Sequence, residues 1–208
     1  MDIIEKCKEF VKNRLKDDKS GHDWHHTLRV FENALDIVKK EGITVDLTVV
    51  KLGALFHDVA DYKFGYSDED RKNIIKNAVG NYNLSEEQVN HIIYIANNTS
   101  FSKGKSLETL ESKIVQDADR LDALGAIGIA RAFTYGGFLK RDIYNIDGDK
   151  DTISHFYEKL LKLKDLMNTE AGKKEAFQRE QFMVTFLKQF FKEVNEGEKY
   201  EKSHREWG

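Results

Sequence analysis

Not one of the 208 residues is proline. Proline locks φ and removes a backbone donor, so it interrupts helices. At an average usage of about 5%, a chain of this length should hold roughly ten. Its absence leaves long uninterrupted helices as the natural local structure, and the apolar spacing agrees. Ile3, Ile4, Cys7, Phe10, Val11 and Leu15 recur at three- and four-residue steps, which marks one helix face. In GHDWHHTLRVFENALDIVKKEG, Asp23 is a plausible N-cap, Leu28, Phe31, Ala34, Leu35 and Val38 continue a stripe, and Gly42 is the stop. Asp46 can cap VDLTVVKLGALFHDVAD. Ser67 and Ser85 each open a segment with acids in its first turn, the charge a helix N-terminus favours.

The stretch from Thr109 to Phe133 reads as helical, with small residues crowding its second half. Each glycine there costs a helix about 1 kcal/mol relative to alanine. Gly125 and Gly128 therefore indicate either close approach of another helix or a break near Asp122. Residues 134–151 read as a long loop, of the kind that often lines functional sites. Two further helices are expected near 152–167 and 170–195, and the polar residues 197–208 as a frayed tail. No strand-like alternation, internal repeat or linker interrupts this pattern. The fold class is all-α, a single compact helical domain over 1–208 with its core at about 20–190.

Charge narrows the partners. The 33 basic and 36 acidic residues are interspersed and leave a net charge of −3, so no basic field suits a nucleic acid polymer. The lone cysteine, Cys7, cannot form an intrachain disulfide, so the chain does not ask for an oxidising compartment. The start, MDIIEKCKEFVKNRL, is amphipathic and charged, unlike a signal peptide. No apolar run approaches the roughly 20 residues of a membrane span. The expectation is a soluble cytoplasmic protein without a membrane partner, and a homodimer is compatible with the sequence.

The chemistry concentrates in a few stretches. ALFHDVAD, residues 54–61, ends an apolar segment with His57, Asp58 and Asp61. GHDWHH supplies His22, His25 and His26, and VQDADRLDALG sets Asp117, Asp119 and Asp122 among apolar positions. Ionisable groups on apolar faces must be paired or bound, because unpaired burial costs several kcal/mol. A divalent cation would satisfy several at once. Neighbouring helix residues point about 100° apart, so His57 and Asp58 cannot face the same way mid-helix but can converge on one ion lying between them, particularly near a helix end. Imidazole with carboxylate suits Mn²⁺, Fe²⁺, Zn²⁺ or Ni²⁺, and Mg²⁺ less naturally. The competing reading is an ion-pair network without metal, in which Arg120 and Arg131 face the acids.

In combination, GHDWHHTLRV, LFHDVAD and VQDADRLDALGAIGIAR resemble the H…HD…D signature of the HD-domain metal-dependent phosphohydrolases, most of all their YpgQ/YedJ-like branch. The resemblance runs from about residue 20 to 190. It implies one divalent metal ion (Mn, Mg, Fe, Ni or Zn) held by His26, His57, Asp58 and Asp119. His26 is selected because Arg29-Val30 follows it, and Asp119 by its Ala-Asp-Arg-Leu context. Asp117 and Asp122 are then candidates to orient the ligands or Arg120, and His22 either faces the same cleft or sits in the capping region of its helix. Asp61 stands where relatives carry a glutamate three residues after the HD aspartate, so the resemblance implies a catalytic acid or base of shorter reach, the alternative being a structural pairing with Lys63 or Arg29. Arg29, Arg120, Lys103 and Lys164 are the expected substrate contacts, and Tyr135, Phe138 and Tyr144 could stack on a base.

The implied activity is hydrolysis of a small phosphorylated molecule, a nucleotide first of all, including a nucleoside triphosphate cut to monophosphate and pyrophosphate. A cation there acidifies its water and neutralises a phosphoryl oxygen. The alternative is a regulatory module that binds metal and nucleotide without turnover. An iron-dependent oxygenase on the same scaffold would need more histidines beside the HD pair, and His91 is the only spare one nearby in sequence.

Overall fold

A computed structural model describes residues 2–16, 23–60, 65–99, 107–145 and 150–194. Among the described residues there are nine α-helices, a 3-10 helix and no strand, in keeping with the all-α reading. By their contacts the residues group into two compact units, Met1–Asp122 with Met167–Lys173, and Ala123–Leu166 with Lys174–Gly208.

The first unit holds α1 (Ile3–Leu15), α2 (Trp24–Glu41), α3 (Leu47–Phe56), α4 (Asp68–Val79), α5 (Glu86–Asn98) and α6 (Leu110–Asp122). The helices start where side chains can satisfy their first N–H groups. Asp23 accepts from His26 N, and Asp46 from Thr48 N and Val49 N. Ser67 with Asp70, and Ser85 with Gln88, form full capping boxes. α2 ends at Gly42, whose φ of 64° is the left-handed conformation that spares glycine a Cβ clash.

α3 is the centre of this unit. Val49, Val50, Leu52, Gly53, Ala54, Leu55 and Phe56 are all buried, because α1, α2, α5 and α6 pack around it. Each large apolar side chain so buried is worth about 1.5–3 kcal/mol. At Gly53 a Cβ would lie 3.0 Å from Ile95 of α5, so glycine lets these two helices close up. α2 packs on both α3 and α6, which brings the N-terminal turn of α2 towards the end of α6.

The second unit contains α7 (Gly125–Phe138), α8 (Thr152–Glu158), a 3-10 helix (Leu160–Leu166) and most of α9 (Glu170–Glu193). The helix expected over 109–133 does break, after Asp122, and it resumes at Gly125, whose φ is 70°. α7 then runs five residues past Phe133, into the stretch expected as loop. The reason is packing: Gly136 is buried against Thr152, where a side chain would not fit. The helix expected near 152–167 is divided at Lys159, with 3-10 geometry after it. Phe133, Phe156, Phe186 and Phe190 form an aromatic core. No helix among the described residues is long and apolar enough to cross a membrane.

Candidate metal centre

His26 lies in the first turn of α2, tied there because its own N–H donates to Asp23. His57 is the residue that ends α3, and His57–Ala60 leave the helix as a turn. That departure answers the geometric problem of the HD pair: off the helix, adjacent side chains can face one point. Asp119 and Asp122 come from the last turn of α6. Three helices of the first unit therefore contribute.

The donors converge. His26 Nε2 and His57 Nε2 are 3.2 Å apart, and each is 3.3 Å from Asp58 Oδ2. Asp119 Oδ1 lies 3.5 Å from His26 Nε2 and 3.8 Å from His57 Nε2. The two rings meet edge to face, with centroids 5.2 Å apart. Ligand bonds of about 2.0–2.2 Å would separate adjacent donors by roughly 3.0 Å in an octahedron and 3.4 Å in a tetrahedron. The spacings among His26, His57 and Asp58 fall in that range, and those to Asp119 are a little wider. His26, His57 and Asp58 form a group able to hold a metal ion, with ligand atoms within 4.8 Å of one another.

The opposite edges of the imidazoles fix which nitrogen is free. His57 Nδ1–H donates to the Ala54 carbonyl at 2.8 Å. His26 Nδ1–H donates to Asp122 Oδ2 at 2.6 Å. A carbonyl and a carboxylate can only accept, so both Nδ1 atoms carry protons, and in the neutral imidazoles both Nε2 atoms present lone pairs. Two lone pairs and two carboxylates cannot satisfy one another, whereas a cation satisfies all four. The donor chemistry thus fits a divalent ion. A proton is the lesser substitute. Burial alone would push the His57 pKa down, but the charge and hydrogen bond of Asp58, the charge of Asp119 and the Ala54 carbonyl outweigh it and raise it to about 9.

Asp122 is buried, 1% exposed, and it is held by Arg29, which donates from Nε to Oδ1 at 2.5 Å and from Nη2 to Oδ2 at 3.0 Å. The hydrogen bond to Asp122 raises the Arg29 pKa above its usual value, against the effect of burial. Arg29, expected as a substrate contact, is thus engaged with the carboxylate behind His26. Arg120 is half-buried, and its charge faces Asp117 and Asp119. Lys164 is in the second unit, paired with the buried Glu180 at 2.7 Å. His22, Asp61 and Lys103 lie outside the described residues. His25 is exposed, and His91 is bonded to Thr109 Oγ1 at 2.8 Å.

Asp117 has its hydrogen-bond partners elsewhere in the first unit. It is fully buried but faces away from the ligands, accepting from the backbone N–H groups of Asn168 and Thr169 and from both their side chains. Tyr144 is likewise not free to stack on a base, because its ring packs edge-on against Phe190 and Phe191. Tyr135 and Phe138 stack on each other at 18° with Phe138 exposed. The sequence reading missed the Ala54 carbonyl, which no side-chain pattern announces. It also missed the partners of Asp117, which the Asn-Thr pair before α9 could have announced as a cap.

These helices and this cluster define a known class of protein. Residues 23–124, from the cap of α2 to just past α6, match the HD domain family, and the chain belongs to that family. Among its relatives is the uncharacterised protein YpgQ of Bacillus subtilis, 37% identical over 194 residues, covering 91% of this chain and 93% of YpgQ. The crystal structure of Bacillus subtilis YpgQ in complex with ADP superposes with a TM-score of 0.77 at 35% identity, over 92% of this chain and 97% of that one. An HD-superfamily hydrolase from Bacillus thuringiensis gives 0.77 at 45% identity, over 92% and 96%.

Proposed function

We propose that this chain is a metal-dependent phosphohydrolase acting on a small phosphorylated molecule, in the first place a nucleotide. The observation that carries the reading is the pair of lone-pair nitrogens 3.2 Å apart, flanked by two carboxylates and locked from behind. The ADP bound to YpgQ supports the substrate class.

His26, His57, Asp58 and Asp119 would hold the ion. A divalent cation at this place supplies an acidified water and charge neutralisation at phosphorus. The chain's own residues do the rest. Two neutral imidazoles and two carboxylates bring a charge of about −2, which matches a divalent ion but repels a free phosphate ester. Turnover therefore depends wholly on the metal. Asp122 and the Ala54 carbonyl hold the two Nδ1–H groups and so turn both Nε2 atoms towards the ion, and Arg29 pairs with Asp122 from behind. Asp61 is assigned as the group that takes or returns a proton, and Arg120 and Lys103 as the cations that hold further phosphate oxygens.

The deciding experiment measures product release from nucleoside mono-, di- and triphosphates with Mn²⁺ and with a chelator. Release of phosphate, pyrophosphate or triphosphate identifies the bond cut. We expect metal-dependent release that His57→Ala and Asp58→Ala abolish together with metal content. Binding of metal and nucleotide without any release would instead make this a regulatory module.

A further inference from the structure

Two arginines outside the ligand cluster grip the backbone that follows the HD pair. Arg71, in the first turn of α4, is 5% exposed, and its Nη2 donates to the carbonyl of Ala60. Its Nη1 donates to Asn97 Oδ1 of α5 at 3.0 Å and faces Asp68 at 3.5 Å. Arg14, in the last turn of α1, donates from Nε to the carbonyl of Val59 at 3.0 Å and lies over the ring of Tyr66. Val59 and Ala60 are the two residues directly after His57-Asp58.

That turn needs outside support. The α3 helix has ended at Phe56, and the segment closes on it through Val59 N–H to the Phe56 carbonyl at 3.2 Å. Asp58 must nevertheless be held within about half an ångström to serve as a ligand. Arg71 is an expensive way to fill space. It is a buried guanidinium, and its Nε has no hydrogen-bond partner among the described residues. Burying such a group costs several kcal/mol, and an apolar side chain would pack there more cheaply. What an apolar residue could not do is fix the Ala60 carbonyl.

We propose that Arg71, assisted by Arg14, is a positioning residue for the metal ligand Asp58: the two guanidinium groups hold the carbonyls of Val59 and Ala60 and so set the affinity and geometry of the metal centre. The inference rests on the metal-centre reading above. It extends that reading to two residues that no ligand pattern contains and that touch no donor atom.

The test uses the full chain, stripped with a chelator and titrated with Co²⁺, whose visible spectrum reports coordination geometry. Arg71→Met should weaken Co²⁺ binding about tenfold or more, the usual effect of removing an outer partner, and shift the visible bands. Arg71→Lys, which keeps a donor, should recover part of both. Arg14→Gln should move both in the same direction. Arg14 is exposed, so its variant reports even where Arg71→Met does not fold. Folded variants that keep the parent spectrum and affinity while melting earlier would overturn the proposal and leave the metal centre standing. A parent chain that takes up no Co²⁺ would overturn both.

Discussion

Replacing Asp122 by Asn keeps an oxygen facing His26 Nδ1 but removes the charge that Arg29 pairs with. Asp122→Asn should therefore lower metal affinity by about tenfold, the low end of the range for such outer partners. It should also destabilise the chain by about 1–3 kcal/mol, because a buried charge-assisted bond becomes a neutral one. Isothermal titration with Mn²⁺ and a denaturant melt check the two effects separately. His57 gives a pH dependence at the same scale. Its folded pKa of about 9 stands above the ordinary 6.5. Below pH 6.5 folded and unfolded chains both carry the proton, and its stabilising effect is complete. Between 6.5 and 9 the unfolded chain loses the proton first, so stability falls by up to about 3 kcal/mol across that window. The prediction applies to the chelated protein. With saturating metal the ion replaces the proton, and this fall should vanish while metal affinity rises with pH. Urea melts from pH 6 to 9.5, with and without chelator, measure the difference.

Among the elements, α6 shows what a sequence conveys and what it withholds. Residues on a helix are offset by about 100° each. Asp119 and Asp122 lie three apart and so share a face, and both reach the His26 ring. Asp117 lies two before Asp119, about 200° round, and it turns to Asn168 and Thr169 instead. The family pattern selected Asp119 and left Asp117 and Asp122 as its neighbours, and the helical offset separates those two. The caps at Asp23, Asp46, Ser67 and Ser85 were legible because a cap is settled within three residues. The extent of α7 was not, because the fit of Gly136 comes from Thr152, far along the chain. Asp117→Ala should cost about 3 kcal/mol, since several buried donors lose their acceptor at once. It should leave Co²⁺ affinity within about twofold, because its carboxylate serves Asn168 and Thr169 and not the ligand cluster. A melt together with a metal titration tests this, and a large loss of affinity would mean that the anchor of residues 167–172 also governs the ligands.

For the whole molecule, the limit of legibility is convergence. No local rule states that His26, His57 and Asp119 meet; that follows from α2 packing on both α3 and α6. Only the resemblance in combination carried those positions to one point. Because the proposed ligands come from three helices that approach only in the folded chain, a metal held by them would bind the native state and not the unfolded one. Binding then stabilises by mass action, about 2.7 kcal/mol at a hundred times the dissociation constant. The thermal midpoint should rise with metal concentration and return with chelator. The distribution of that gain is the sharper prediction. A ligand set confined to the first unit should deepen hydrogen-exchange protection mainly in the first turns of α2, in residues 57–60 and in the second half of α6. Protection that rises equally in α8 and the later turns of α9 would show instead that the metal centre and the second unit open as one cooperative body, and that the ligand helices are not its only beneficiaries.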